Sequence, residues 1–574
     1  MNRREFLQLF LAGYMSGMFK KSFANIPINY SPKPFGNVRL IHITDTHAQL
    51  NPIYFREPNI NLGVGVNKNT PPHIVGNNFL KYYGISEEIL KHAYTYLNFN
   101  KNAHNFGKFG GFAYLKTVID ELRSDVNNNA LLLDGGDTWQ GSGLSLLENG
   151  NDMVKASNIL GVDIMTGHWE FTFGENQFLK NLKKFAGDFI AQNIMLNEEA
   201  IFNGMEPIDD ESHFQKPYII KVINGNKIAV IGQAFPYTPI ANPRRFVPNL
   251  TFGIKENELQ SLILKIKNKE KPSLVVLLSH NGLDVDKKLA KRVSGIDIIL
   301  GGHTHDPVPL PIIVDNKNSS TLVINSGCNG KFVSVLDLKI KKSSFDYNYK
   351  LLPILSNRIR PSQKMNEVIN SLEKPHFNLL NEEIGESNVD LYRRGNFNGT
   401  FDNLLCDSML EVLDSSICLS PGFRWGPTVL AGEKIKMKDI FNQTAITYPN
   451  VYSRYMTGET IKNILEDVAD NIFNPDPYLQ QGGDMVRTKG LSYTITPRKK
   501  IGYRISDIFT SNGKRLQASK KYKVSGWASV NSKESGKPIW EVTKEYLKSI
   551  KYYDANTKNI PKINFENDNL GIET

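Results

Sequence analysis

A series of short apolar, β-branched runs fills the first 340 positions, and many of them end in Gly, Asp or His. The runs are Val38–Thr44, Ala130–Asp134, Val162–Thr166, Lys227–Gln233, Ser273–Ser279, Ile296–Leu300, Thr321–Asn325 and Val333–Leu338. Runs of this length, bounded by turn residues, read as buried strands. Amphipathic stretches lie between them, among them Gly111–Leu122, Met153–Leu160 and Asn176–Phe185. Strands alternating with helices predict a layered α/β domain. Polar residues at the carboxyl ends of such strands gather along one sheet edge, where open α/β sheets place their ligands.

The residues at those ends are of ligand type. They are Asp45-Thr46-His47, Gly135-Gly136-Asp137, Gly167-His168-Trp169-Glu170-Phe171-Thr172, His280 and His303-Thr304-His305. Asp45 and His47, one residue apart in a turn, can converge on one cation. Asp137 follows two glycines that permit close backbone approach, and a carboxylate has two oxygens with which to bridge. Asp45, His47, Asp137, His168, His280, His303 and His305 together form a ligand set sized for two metal ions. Two ions 3.5–4 Å apart clamp a displacement at a tetrahedral centre and lower the pKa of a bound water. Mixed carboxylate and imidazole donors suit manganese, zinc or iron.

Composition bounds the rest. A chain of 574 residues exceeds one ordinary core and predicts two large domains after a leader. Asn2-Arg3-Arg4-Glu5-Phe6-Leu7, a short apolar stretch and Ser22-Phe23-Ala24 read as a twin-arginine export signal over 1–24, cleaved on the way to the periplasm. No stable membrane association is expected after cleavage. The three cysteines, Cys328, Cys406 and Cys418, do not make a disulfide framework, and a Cys406–Cys418 bridge is the one pairing left open. The formal net charge of +10 reads as a diffuse positive field. Such a field favours an anionic substrate or an acidic partner surface over nucleic acid.

The five motifs resemble those of the calcineurin-like metallophosphoesterases, specifically the two-domain 5′-nucleotidase family. That resemblance spans nearly the whole mature chain. It implies a four-layer β-sandwich flanked by helices over 36–357, with 51–108 as an insertion above the site. A linker helix over 358–384 and an α+β substrate-binding domain over 385–565 follow. It implies one metal on Asp45, His47, Asp137 and His305, and a second on Asp137, His168, His280 and His303.

The third motif departs from the nucleotidase pattern Gly-Asn-His-Glu-Phe-Asp. His168 stands in place of the Asn ligand, Trp169 in place of a catalytic His, and Thr172 in place of the Asp paired with it. An ester oxygen leaves more easily with an acid nearby. A sulfur leaving group needs little such help, and Trp169 can instead wall a narrow channel. With Leu391–Thr400 and Gln481–Arg487, this motif resembles the SoxB-type thiosulfohydrolase branch of the family. The branch implies two manganese ions and a monomer that acts on the carrier SoxYZ, whose SoxY subunit bears a cysteine S-sulfonate on its C-terminal arm. Hydrolysis by a metal-activated hydroxide would release sulfate. Arg424, in Ser420–Gly426, is the candidate for gripping sulfonate oxygens as a fork. Asp484 and Arg487 are further substrate-binding candidates beside Trp169. Two other readings remain at this point. One is a periplasmic 5′-nucleotidase or cyclic-nucleotide phosphodiesterase, with Phe423, Trp425 or Tyr448 clamping a base. The other is a metal-bound carrier chaperone without turnover.

Overall fold

The computed structural model describes residues 28–573 except 318, 343, 398 and 556–559. The expected export signal over 1–24 lies outside the described residues.

The apolar runs form two six-stranded sheets. In the first, the order is Phe345–Pro353, Phe332–Ile340, Val38–Ile43, Ala130–Asp134, Ile164–Met165 and Asp188–Phe189. Val38–Ile43 pairs antiparallel with Phe332–Ile340 and parallel with Ala130–Asp134. In the second, the order is Ile312–Asp315, Ser320–Asn325, Ile298–Gly301, Leu274–Ser279, Asn226–Gln233 and Tyr218–Ile223, with the central strands parallel.

Strand periodicity explains why these runs are apolar throughout. Leu40, Leu131, Leu133, Val230, Val276, Leu278, Ile298 and Leu336 face inward and fill the space between the sheets. Alternate residues of the same strands face out. Ile41, Ile43 and Leu132 meet helix Phe112–Ser124, while Val275, Leu277 and Ile299 meet helices Glu256–Lys269 and Leu283–Arg292. Strands covered on both faces need no polar alternation. The result is four layers, helix, sheet, sheet, helix, with the parallel strands ending along one rim.

The insertion carries helices Gly76–Tyr83, Glu88–Tyr94 and Phe99–Phe106. Their apolar faces pack on Phe109, Phe332, Leu351 and Leu355. The last residues, which look loose in sequence, are tied to this insertion. The Leu570 and Gly571 carbonyls accept from the Val75 and Asn61 amides, and Ile572 bridges Ile60. After the linker helix Gln363–Glu373, a four-stranded sheet forms in the order Val451–Thr457, Lys521–Trp527, Ile417–Gly422, Asp484–Lys489. Helices Thr400–Val412, Gly458–Phe473 and Ile539–Ile550 flank it. Its apolar core is continuous with that of the first half through residues such as Leu144, Leu380 and Phe441. All three cysteines are buried free thiols, so the Cys406–Cys418 bridge is not formed. No helix among the described residues is long and apolar enough to cross a membrane.

Candidate dimetal centre

The strand ends bring all seven ligand-type residues into one buried cluster. Ligand atoms of Asp45, His47, Asp137 and His305 lie within 4.8 Å of one another, as do those of Asp137, His168, His280 and His303. Asp137 belongs to both sets. Its Oδ2 lies 3.1 Å from His280 Nε2, 3.3 Å from His168 Nδ1 and 3.8 Å from His47 Nε2. Asp45 Oδ1 lies 3.3 Å from His305 Nε2 and 3.7 Å from His280 Nε2.

The backbone is bent to reach this arrangement. Asp45, His47, Asp137, His303 and His305 all take left-handed conformations, with φ between 45 and 75°. Such residues cost on the order of 1 kcal/mol or more each and cluster at functional sites. The glycines supply clearance. A Cβ at Gly302 would stand 2.3 Å from Thr44 Oγ1 and 3.0 Å from Asp45 Oδ2.

The donor set fits two divalent cations. His47 Nδ1, His168 Nε2, His280 Nε2, His303 Nε2 and His305 Nδ1 are buried and lack hydrogen-bond partners. Burial, with the neighbouring imidazoles and Arg424, holds His303 and His305 well below the usual imidazole range, so both are neutral and free to ligate. Burial would lower His280 too, but Asp137 and Asp45 override it and hold it up to about 10. Burial would raise Asp137, and His168 and His280 overcome that and keep it ionised. Two carboxylates facing five inward imidazoles make a well whose unmet demand is for positive charge.

Glu170 is the organiser that the sequence reading quoted but gave no role. Its carboxylate accepts from the backbone amides of Thr138 at 2.7 Å, His168 at 2.8 Å, Trp139 at 3.1 Å and Asp137 at 3.3 Å. It thereby locks the Asp137 loop to the His168 loop. Asp286 does similar work for the His280 turn, accepting from Ser279 Oγ at 2.7 Å and Asn281 Nδ2 at 3.1 Å. Phe235 stacks on His303 with centroids 4.1 Å apart.

The third motif also seats the second domain. Trp169 packs edge-on against Trp425 and Phe423, at 5.1 and 5.8 Å between centroids. Thr447 Oγ1 donates to the Thr172 carbonyl at 2.7 Å, and the two hydroxyls are 3.0 Å apart. A cavity of about 430 Å³ opens beside this contact, lined by Asp137, His168, Trp169, His303, Arg424 and Gly482 among others. Arg424 reaches the ligand cluster from the second domain. Its Nη2 donates to the Gly483 carbonyl at 2.7 Å, while its buried Nε and Nη1 have no hydrogen-bond partner.

Asp484 lines the cavity too, but it is turned to the arginines: 3.2 Å from Arg487 Nη2 and 3.7 Å from Arg424 Nε. It is a support for guanidinium groups, and an acid facing the site would repel an anion. Arg487 is turned elsewhere: its Nε is on Asp402 and its Nη2 on Asp484 and the carbonyls of Arg393 and Gly395, its buried Nη1 has no hydrogen-bond partner, and it is not among the residues that line the cavity. A base clamp is not formed either. Phe423 and Trp425 stack on each other at 4.2 Å, which leaves no slot between them, and Tyr448 is buried with its hydroxyl on the Ala241 carbonyl.

Comparison with known proteins agrees with this architecture. Residues 38–307 match the calcineurin-like phosphoesterase family model, and residues 381–542 match the 5′-nucleotidase C-terminal domain. The solved structure of the sulfate thiohydrolase SoxB from Thermus thermophilus, in complex with glycerol, superposes with a TM-score of 0.86 at 31% identity, covering 95% of this chain and 98% of that one. The chain belongs to the two-domain 5′-nucleotidase family that includes SoxB. A 5′-nucleotidase precursor from the same organism shares the fold at TM-score 0.71 and 20% identity, over 92% of this chain and all of the other. Among curated relatives, the trifunctional nucleotide phosphoesterase YfkN of Bacillus subtilis is 27% identical over 68% of this chain, and snake venom 5′-nucleotidase of Gloydius brevicauda is 27% identical over 53%. The aligned part spans 28% of the first and 53% of the second. Fold, family and donor set together make this a dimetal hydrolase.

Proposed function

We propose that the protein is a periplasmic thiosulfohydrolase. It removes the terminal sulfonate from the cysteine arm of a SoxYZ-type carrier, releasing sulfate. The observation that carries this reading is Trp169. It stands beside the ligand cluster where nucleotidases of the family place a catalytic imidazole, and its indole cannot pass an acid proton to an ester oxygen. A thiolate or persulfide leaving group does not need one. The closed Phe423–Trp425 stack supports the same reading, since a nucleoside base would have to pry it apart.

When bound, two divalent cations, manganese in this reading, supply the Lewis acidity that activates water and offsets the charge of the group under attack. The chain's own groups do the rest. Arg424 lines the same cavity as Asp137, His168 and His303, and its unpartnered Nη1 can hold a sulfonate oxygen as it gains charge. Asp484 keeps that guanidinium in place. Trp169 and Phe423, packed edge-on against each other, wall the cavity beside the ligand cluster.

The test is sulfate release from SoxYZ carrying cysteine S-sulfonate, with and without manganese, beside AMP hydrolysis by the same preparation. Metal-dependent sulfate release with little phosphate release is expected. Rapid AMP hydrolysis without sulfate release would assign the chain to the nucleotidases instead.

A further inference from the structure

The positive charge of this protein is not diffuse. The segment 491–524 contains nine cationic residues, Arg498, Lys499, Lys500, Arg504, Lys514, Arg515, Lys520, Lys521 and Lys523, against one acid, Asp507, in a chain whose formal net charge is +10. Arg504 is buried and spent on Asp470. The others are exposed or half-exposed. Lys499, Lys500, Lys514, Lys520 and Lys521 form no ion pair among the described residues.

The fold gathers these residues around one helix. The loop 496–504 is held to helix Gly458–Phe473 through Glu466, which accepts from the Gly502, Arg504 and Ile505 amides, and through Lys462 Nζ on the Gly502 carbonyl. The loop 511–520 meets the start of the same helix, where the Gly458 and Glu459 amides donate to the Lys520 and Ala518 carbonyls. Large apolar side chains stand exposed in the same region: Tyr503 at 73%, Tyr455 at 70% and Ile501 at 52%. The exposed tyrosines supply the aromatic surface that interfaces favour, and the lysines around them the charge of a solvated rim.

The helix also connects this surface to the site. Ile464, Val468 and Asn471, further along it, line the catalytic cavity. Lys462 and Glu466, which hold the loop, lie on the side of the helix turned away from Ile464, Val468 and Asn471, since two residues rotate an α-helix by about 200°. A body resting on the basic loops would therefore sit across the width of one helix, about 10 Å, from the cavity.

We propose that this basic, tyrosine-bearing face is the docking surface for an acidic protein domain that presents its substrate on a tethered arm. The proposal rests on the thiosulfohydrolase reading and adds the recognition of the carrier's folded body to that of its arm. The single acid Asp507 and the acidic Glu459 and Asp467 on the shared helix interrupt any continuous phosphate track, which favours a protein surface over nucleic acid. Docking of this kind speeds encounter and is screened by salt.

The experiment compares two substrates of the wild-type protein and of the variant K499E/K500E/K514E/K521E: SoxYZ carrying cysteine S-sulfonate, and a short arm peptide with the same modified cysteine. The variant is expected to lose at least tenfold in kcat/KM on the carrier, with a flattened dependence on ionic strength, and to turn over the peptide at the wild-type rate. The peptide also reports that the variant is folded. The milder K499Q/K500Q should fall between. An unchanged kcat/KM on the carrier overturns the docking surface while leaving the hydrolase reading intact. If the wild type turns over neither substrate, the hydrolase reading fails, and direct binding of unmodified SoxYZ to both proteins decides the surface: equal affinity overturns it. Loss of heparin or RNA binding in the variant with carrier turnover unchanged overturns it in favour of a polyanion.

Discussion

The two halves of the molecule build their shares of the site by opposite means. In the first half, every ligand-type residue sits at or just beyond a strand end, and five of the seven hold strained, left-handed backbone under the grip of buried groups such as Glu170. In the second half, Arg424 and its aromatic neighbours lie on irregular chain after strand Ile417–Gly422, and the positive φ values near them fall on Gly426, Gly482 and Gly483, where they cost little, with Ala528 the one non-glycine of the cavity lining from this half that shares them. The first arrangement suits groups that must hold cations at fixed spacing. The second suits groups that meet a substrate whose shape varies. The lesson is that rigidity is concentrated where the metals fit and relaxed where recognition happens, so changes in specificity should arise in the second half and at the contact between the halves.

That contrast can be broken most severely at Asp137. Asp137→Asn removes a charge shared by both ligand sets, and activity should fall by at least a thousandfold with loss of bound metal; elemental analysis beside the rate checks both. Retained metal at two ions per chain would mean that Asp137 does not bridge. Arg424→Ala comes next. Metal content should remain, while kcat/KM for the sulfonate substrate falls about a hundredfold, the size of losing one preorganised charged donor, ~3 kcal/mol. An equal loss of metal would place Arg424 among the structural supports of the first half.

The joint between the halves gives a subtler test. Trp169→His with Thr172→Asp restores a His–Asp pair but empties the packing against Trp425 and Phe423. Phosphomonoester hydrolysis should rise about tenfold, while thermal unfolding shifts down by several degrees for a loss of ~2–3 kcal/mol of buried aromatic contact. A variant with unchanged stability and no phosphatase gain would deny Trp169 both of its roles.

The smallest expected effect is one of pH in the metal-free protein. Burial pushes Asp286 from 3.8 to about 7, against the hydrogen bonds of Ser279 and Asn281. A carboxyl raised in the fold favours folding fully below 3.8 and loses that contribution as pH rises through 7. Asp286→Asn should therefore flatten the decline in stability of the metal-free protein between pH 4 and 7, read as the urea midpoint across that range. An unaltered slope would mean that Asp286 is ionised in the fold and paired in some other way.

Much of the first half was legible in the sequence because its signals are local. Leu131-Leu132-Leu133-Asp134-Gly135-Gly136-Asp137 states strand, turn and ligand within seven residues, and the same holds for the run into His280 and for Gly301-Gly302-His303. Glu170 was quoted within its motif but could not be given a job, since its partners are backbone amides from a different loop. Arg487 is hard to read for a related reason. A guanidinium near a glycine-rich turn reads as a substrate group, but its direction is set by Asp402 and by carbonyls some ninety residues away. The tail failed too, because its polar composition hides the Leu570 and Ile572 contacts that pin it to the insertion.

The sequence by itself determined a layered α/β first domain and the seven ligand-type residues at its strand ends. Both follow from continuous apolar runs and from residue identity where those runs stop, which neighbours in the chain dictate; the four layers and the reading of Trp169 as a replaced imidazole came from the resemblance to the family. Only the tertiary structure decided that Phe423 closes on Trp425, that Arg424 rather than Arg487 faces the cluster, and that the basic loops converge on the helix flanking the cavity. Those outcomes depend on contacts between segments far apart in the chain, where packing and ion pairing choose among directions that local sequence leaves equally open.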